Sequence, residues 1–402
     1  ASWRERAATR MPRLASLDLA GVAKFLGSAE CRSVALLTGA GMSSGAGIPD
    51  FRSPGGMYDT LRPELITATD RQRRAMAANP TAVVMKDMFL QNAFPYLEVR
   101  RPFILGTQAQ QWQATLSILT LPLALALTLA LTLALALALT LVLTRRRSAT
   151  ASWRCCTPNS SPSPNPRTDA APPPNPNLNP NPNQVLHAKG KLTRLYTQNI
   201  DGLDYQCASV PPERIVPVHG SIGRVACESC GAPEGFGAFC EKVRTHIKDI
   251  YGKDPTAPPA ASSPILCGAC NKPTLKPTTV LFGASLPEEF FSRVAEDLPT
   301  VDLLIVAGTS LVVSPANSIV HQVPGDCVRL IVNREQVGKE LGVVYGEEPD
   351  AVLRGARDVF GEGECDAVFL ELARLLGWLP ELQAFEADLP NPNPNPNPNP
   401  NP

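Results

Sequence analysis

The sequence predicts an α/β chain: a doubly wound parallel (Rossmann-like) sheet with a small structural zinc-binding domain. Three observations predict it. Short, wholly apolar runs recur with helical stretches between them, the pattern of buried parallel strands joined by crossover helices. Most of these runs end in a glycine or polar motif: Gly39-Ala40-Gly41, Gln198-Asn199-Ile200-Asp201, Gly308-Thr309-Ser310 and Asn333-Arg334. Two Cys-x-x-Cys pairs, Cys227/Cys230 and Cys267/Cys270, occupy a loop-rich stretch between two such runs. Ligands of an open parallel sheet bind outside the carboxyl ends of its strands. The polar motifs therefore mark the expected site.

Taken in order, residues 17–26 are expected to form a helix beside the first strand, 34–37. The string GAGMSSGAGIPDFRS, Gly39 to Ser53, follows at once. Glycines at a strand end let the backbone approach a phosphate, and N–H groups opening the next helix can hold the anion. Gly39 and Gly41 fit the start of the dinucleotide fingerprint G-x-G-x-x-G; the spacing to Gly45 and Gly47 does not. Residues 58–88 read as helical, interrupted at Pro63 and Pro80, and 89–104 as an irregular or short-helical segment lining something apolar. Further strands are expected at 192–197, in VPVHG at 216–220, at 280–283, 303–307 and 328–332, and a helix at 368–376. The resulting division is an N-terminal lead (1–16), a Rossmann-like domain in three parts (17–117, 185–225 and 280–378), a zinc module (226–279), an insertion (118–184) and a tail (379–402).

Composition narrows the class. The 402 residues carry no net charge, which gives no electrostatic reason to expect nucleic acid or an anionic membrane surface. Many of the 41 prolines lie in two Asn-Pro blocks that lack apolar side chains and read as disordered. The opening ASWRERAATRMPRLAS is rich in arginine, fitting either the tail of a mitochondrial transit peptide or an unstructured lead. Residues 116–143 are almost pure Leu, Ala and Thr, followed by Arg145-Arg146-Arg147. Length alone qualifies that run as a membrane span. Its position inside the cofactor domain favours an inserted segment instead, because loop-closure cost grows slowly with length.

An odd count of 11 cysteines with no secretory signal points to a reducing, intracellular compartment and a metal site. Four thiolates at knuckle spacing close a tetrahedral shell, so Cys227, Cys230, Cys267 and Cys270 are expected to hold one structural zinc. Cys240, between the pairs, is the decoy. The strand-end motifs together describe a dinucleotide site, where any one alone is more often a turn.

The string from Gly39 to Ser53, with YTQNIDGL at 196–203, the His219-Gly220 pair and the paired cysteines, resembles the signature of the sirtuins, NAD-dependent protein lysine deacylases. The resemblance covers residues 17–117 and 185–378 and is nearest to the deacetylase class. It implies NAD contacts from Gly39, Ala40, Gly41, Ser43, Gly308, Thr309 and Ser310 at the phosphates. Asp50, Phe51 and Arg52 fall at the nicotinamide end, Gln198 at a ribose, Asn199 and Asp201 in the nicotinamide pocket, and Asn333, Arg334 and Cys365 at the adenosine end. It makes His219 the general base, with Asn199 and Asp201 as further catalytic groups. Val280, Phe282 and Gly283 form the strand that pairs with an extended substrate peptide. Its implied reaction is attack of an acetyl-lysine oxygen on the ribose carbon that bears nicotinamide. His219 then deprotonates a ribose hydroxyl, and lysine and O-acetyl-ADP-ribose are released. Acetyl-lysine proteins, histones among them, are the implied partners, with nucleus, cytoplasm and mitochondrion all open.

Departures from the family pattern include Ala284 and Val312, where acidic residues are usual, and the insertion, which replaces a helix before Leu186-His187. Tyr58 is followed by Arg62, one residue too far for the Tyr-Arg pair of desuccinylase-like members, so acetyl or plain acyl substrates are expected. Two alternatives stay open: protein mono-ADP-ribosyl transfer, and a non-catalytic NAD-binding or membrane-tethered protein.

Overall fold

The computed structural model describes residues 13–44, 46–48, 56–109, 186–206, 210–346 and 356–380. Asp50, Phe51, Arg52, the 118–184 insertion with its apolar run, and most of the lead and tail lie outside the described residues. Among the described residues no helix is long and apolar enough to cross a membrane.

Six strands form the main sheet: β1 (Val34–Thr38), β2 (Leu192–Thr197), β3 (Ile215–Pro217), β7 (Leu303–Ala307), β8 (Val328–Asn333) and β9 (Asp358–Glu362). Their order is β3-β2-β1-β7-β8-β9, and every adjacent pair is parallel. The chain starts in the middle, winds to one edge, crosses back and winds to the other. The switch point lies between β1 and β7, where the carboxyl ends open a crevice.

Both faces of the sheet are covered, which is why its central strands β1 and β7 are apolar without alternation. Val34 and Leu36 of β1 pack with Leu303, Ile305, Leu330 and Val332 against helix α1 (Leu19–Gly27) and helix α8 (Cys365–Leu376). Ala35 and Leu37 face the other way, with Tyr196, Val306 and Ile331, onto helix α6 (Glu288–Asp297) and helix α7 (Ile319–Gln322). Asp18 caps α1 by accepting from the Gly21 N–H at 2.7 Å, and Gly377, at φ 70°, ends α8 in the left-handed region.

A second core joins the cysteine module to the chain after β1. Helix α2 (Asp70–Ala78), helix α3 (Lys86–Gln91) and helix α4 (Phe94–Gln108) pack Met76, Phe89, Tyr96 and Ile104 against Phe239 and Val243 of helix α5 (Phe236–His246). A three-stranded sheet, β4 (Val225–Cys227), β5 (Pro233–Glu234) and β6 (Leu275–Pro277), completes it in the order β5-β4-β6. The small lobe thus packs residues 61–104 with 222–281, a wider grouping than the 226–279 module read from the sequence.

Four elements differ from expectation. Residues 94–108 form one fifteen-residue helix, longer and more regular than the irregular or short-helical segment expected over 89–104. Pro95 sits in its first turn, where a missing N–H costs nothing, although Pro102 lies in the interior. Residues 280–283 make one bridge, Met85 with Phe282, and no strand. Gly283 at φ 85° ends the extended run, and the Ala284 N–H turns back to the Leu281 carbonyl at 2.9 Å. Strand β9 and helix α5 are present where the sequence pattern alone indicates neither.

Candidate active site

A cavity of about 720 Å³ opens at the carboxyl ends of the strands. Ala40, Gly41, Gln198, Asn199, His219, Gly308, Thr309, Ser310, Asn333, Arg334 and Cys365 line it, as do Val280, Phe282 and Gly283. Residues far apart in sequence therefore share one wall, chiefly because parallel strands deliver their ends to one edge.

The glycine loop acts differently from the phosphate-cradling helix expected. Ala40–Met42 is a three-residue 3₁₀ turn, and the N–H groups of Gly39 and Gly41 are spent on the carbonyls of Ala307 and Gly308, both at 2.9 Å. These glycines stitch the end of β1 to the end of β7. A Cβ on Gly41 would lie 2.7 Å from the Gly308 Cα, and one on Gly39 2.6 Å from the Thr309 Cβ. Only glycine permits that approach.

Gly39, Ser43 and Asp201 stand behind the wall instead of in it. Asn199 Nδ2 donates to the Gly39 carbonyl at 3.0 Å and to Ser43 Oγ at 3.1 Å. Ser43 Oγ donates to Asp201 Oδ2 at 2.6 Å, and Asp201 Oδ1 accepts from the Leu203 N–H at 3.0 Å. Burial raises the Asp201 carboxyl above its usual range, against these hydrogen bonds. Asp204, close by, is pushed up to about 6, chiefly by burial. Through Ser43, Asp201 positions Asn199 and the glycine loop, and it is not among the residues that line the cavity.

His219 hangs from the loop after β3. Its Nδ1 lies 3.0 Å from the Gln198 carbonyl, which assigns the proton to Nδ1 and leaves the lone pair on Nε2. Burial lowers its pKa below the ordinary 6.5, opposed by that hydrogen bond. Gly220, at φ 77°, lets the loop pass so close to Thr278 that a Cβ would lie 2.0 Å from its carbonyl oxygen. The His-Gly pairing is thus a packing requirement as well as a motif.

The cavity suits a dinucleotide. Among the described residues Gln198 Nε2 is buried with no partner, although its Oε1 accepts from Thr309 Oγ1 at 3.3 Å. An unmet amide donor in a cavity wall costs about 1–3 kcal/mol unless a ligand meets it. At the far end, Arg334 pairs with Glu364 at 2.5 and 2.9 Å beside Asn333 and Cys365. Burial pushes the Cys365 thiol up to about 12, so it offers an uncharged surface.

Sequence reasoning missed Tyr96, Arg100, Thr279 and Leu281 on the inner wall. Tyr96 OH is 2.7 Å from Thr279 Oγ1. Arg100 is buried on α4 and lines the cavity with Tyr58, whereas Arg62 is not part of the lining. A tyrosine and an arginine four residues apart on one helix face are the available signal, hidden here because two prolines disguise α4 as irregular.

The four cysteines come together as expected. Their sulfurs all lie within 4.8 Å of one another, with Cys227–Cys270 at 3.6 Å and Cys230–Cys267 at 3.8 Å. A tetrahedron with zinc–sulfur bonds of about 2.3 Å has edges of about 3.8 Å. The two knuckles repeat one geometry: the Gly231 N–H donates to the Cys227 carbonyl and the Asn271 N–H to the Cys267 carbonyl, each at 2.8 Å. Gly231 (φ 74°) and Asn271 (φ 57°) both take the left-handed conformation that this turn needs. The donor set fits one zinc with no open position. Cys240 is buried on α5 outside the cluster.

A sequence model of the Sir2 family matches residues 39–104 and 169–315, more than half of the chain. The chain is 28% identical to NAD-dependent protein deacetylase sirtuin-2 of Danio rerio over 92% of its own length and 75% of that protein's. It is 37% identical to NAD-dependent protein deacetylase hst2-2 of Emericella nidulans over 51% of its length and 50% of the relative's. To NAD-dependent protein deacetylase hst2 of Schizosaccharomyces pombe it is 33% identical over 50% and 51%. It thus spans three quarters of the first of these relatives and about half of the other two. The chain belongs to the Sir2 family.

Proposed function

We propose that the protein is an NAD-dependent protein-lysine deacetylase with one structural zinc. The observation that carries this reading is His219. A neutral imidazole, its Nδ1 proton given to Gln198, presents Nε2 on the wall of a strand-end cavity whose buried Gln198 amide awaits a ligand. The relatives' names support the same activity.

Bound NAD would supply an electrophilic ribose carbon with nicotinamide as leaving group. The chain's own residues hold, align and exclude. Gly308, Thr309 and Ser310 shape the phosphate end, Asn333, Arg334 and Cys365 the adenosine end, and the Gln198 amide donates to a ribose oxygen. Asn199, fixed by Ser43 and Asp201, borders the nicotinamide end. His219 Nε2 takes a proton from a ribose hydroxyl, a role worth about 10²–10⁴ in rate. Val84, Tyr96, Ile200 and Leu281 keep water from the acyl group. Phe282 has its main chain committed to Val84 and Lys86, at 3.0 and 2.9 Å, so it braces the peptide edge. The zinc holds the two knuckles together and does no chemistry.

Lysine-acetylated proteins are the substrates of this reading, histones among them, in an intracellular reducing compartment suited to four zinc-bound thiolates. Nicotinamide release should require an acetyl-lysine peptide and yield free lysine in equal amount. Release without peptide, with ADP-ribose appearing on protein, would replace deacetylation by ADP-ribosyl transfer.

A further inference from the structure

A carboxylate in the first zinc knuckle ties that knuckle to the substrate side of the cavity. Glu228 stands next to the zinc ligand Cys227 in the first knuckle. Its Oε1 lies 3.2 Å from Lys86 Nζ and its Oε2 3.1 Å from Lys276 Nζ. The two lysines belong to different segments. Lys276, on β6, is only 4% exposed, and its ammonium also donates to the carbonyls of Pro277 at 3.0 Å and Thr279 at 2.7 Å. Thr279 lines the cavity, hydrogen-bonds Tyr96, and precedes Val280, whose N–H donates to the His219 carbonyl at 2.8 Å. Lys86 opens α3, and its N–H donates to the Phe282 carbonyl. The Phe282 N–H in turn donates to Val84. One carboxylate therefore clamps both partners of the Met85–Phe282 bridge.

This arrangement has a charge logic. Two ammonium groups flank the carboxylate, one of them buried, and burial lowers the pKa of Lys276 while Glu228 opposes the shift. Without Glu228 the buried ammonium would keep only carbonyl partners and would face Lys86 uncompensated. Residues 279–282 would lose this link between the knuckle and Lys86, while the glycine loops and Gln198, on the sheet, make no use of it.

We propose that Glu228 is a positioning residue for the acyl-lysine peptide: by bridging Lys86 and Lys276 it fixes residues 279–282 at the cavity wall, and so couples the zinc knuckle to peptide binding and not to NAD binding. This rests on the deacetylase reading for the identity of the peptide. The clamp itself stands on the geometry of the chain.

The test uses the full chain and the variants Glu228→Gln, Lys86→Met and Lys242→Met. Lys242 pairs with Glu234 at 2.7 Å in the same module but touches neither 84–86 nor 279–282, so it controls for module stability. Each variant is assayed for zinc content, melting temperature, NAD affinity and the anisotropy of a labelled acetyl-lysine peptide with ADP-ribose present. KM and kcat follow from turnover. Glu228→Gln and Lys86→Met should weaken peptide binding and raise peptide KM about tenfold, ~1.4 kcal/mol. NAD affinity should stay within about twofold. Lys242→Met should match wild type. Glu228→Asp, which keeps the charge on a shorter arm, should recover part of the loss. If Glu228→Gln fails to fold, Lys86→Met decides alone, because its side chain is 39% exposed and its loss leaves the Lys276 pair intact. Peptide affinity unchanged in zinc-loaded variants overturns the proposal, as does equal weakening in Lys242→Met. A wild type that binds peptide but consumes no NAD sinks the deacetylase reading, and the same peptide titrations still decide the role of Glu228.

Discussion

Replacing Gly308 by alanine tests the architecture of the cofactor crevice at its tightest point. Gly308 has φ 62°, and an added Cβ would lie 2.8 Å from both the Gly41 Cα and the Met42 N. Left-handed backbone costs a residue with a Cβ about 1–2 kcal/mol. Carbon atoms settle at about 3.5–4.0 Å, so the β1 and β7 loops must part by roughly 1 Å, an overpacking cost of about 1–3 kcal/mol. Gly190 gives the control: it has φ 68° and, among the described residues, nothing within 4 Å of an added Cβ, so alanine there bears only the conformational cost. At roughly 3 °C per kcal/mol for a domain of this size, Gly308→Ala should melt about 5 °C below Gly190→Ala. Calorimetric titration should show NAD binding weakened about tenfold or more by the first and unchanged by the second, since a 1 Å displacement of a binding wall is costly. Equal melting temperatures, or full NAD affinity in Gly308→Ala, would refute the close-packed crevice.

Three further outcomes follow from the site and its supports. His219 must be neutral to accept a proton, and burial lowers its pKa in the ligand-free protein, so the acid limb of the kcat/KM profile should fall below pH 6.5. A limb above that value would contradict the buried setting. Cys267→Ser should release zinc, measured by a chromogenic chelator, and lower the melting temperature together with activity; retained activity in zinc-free protein would remove the metal from the account. Asp297 accepts from Arg194 Nε at 2.7 Å and from Tyr196 OH at 2.8 Å, all nine-tenths buried or more. Asp297→Ala strands that guanidinium and should cost about 3–5 kcal/mol in urea unfolding, while a loss under about 1 kcal/mol would make the pair dispensable.

The legible parts of the chain are those whose cause is local. Strands β1, β7 and β8 announce themselves because a strand covered on both faces must be apolar throughout. The zinc quartet is readable because a knuckle fixes ligand spacing within four residues. Strand β9 is hidden: Asp358 begins it and Gly361 lies in it. Its burial depends on Arg329, 29 residues earlier, which pairs with Asp358 through two hydrogen bonds at 2.5 and 2.6 Å. The inner wall is hidden for a similar reason. Tyr96 and Arg100 lie on a helix disguised by Pro95 and Pro102, and Thr279 is held at the cavity by a hydrogen bond to Tyr96, 183 residues earlier. A polar strand end usually touches the ligand, which is what the sequence suggests for Asp201. Its side chain instead turns back to Ser43, a choice that only the neighbouring glycine loop decides.

Nicotinamide and free lysine, quantified together from one reaction of NAD with an acetyl-lysine peptide, give the most direct test. Wild type should release the two in equal amounts. His219→Ala, shown by titration to bind NAD normally, should free lysine about 10²–10⁴-fold more slowly. Free lysine at the wild-type rate from His219→Ala would contradict the assignment of Nε2 as the base on which the account rests.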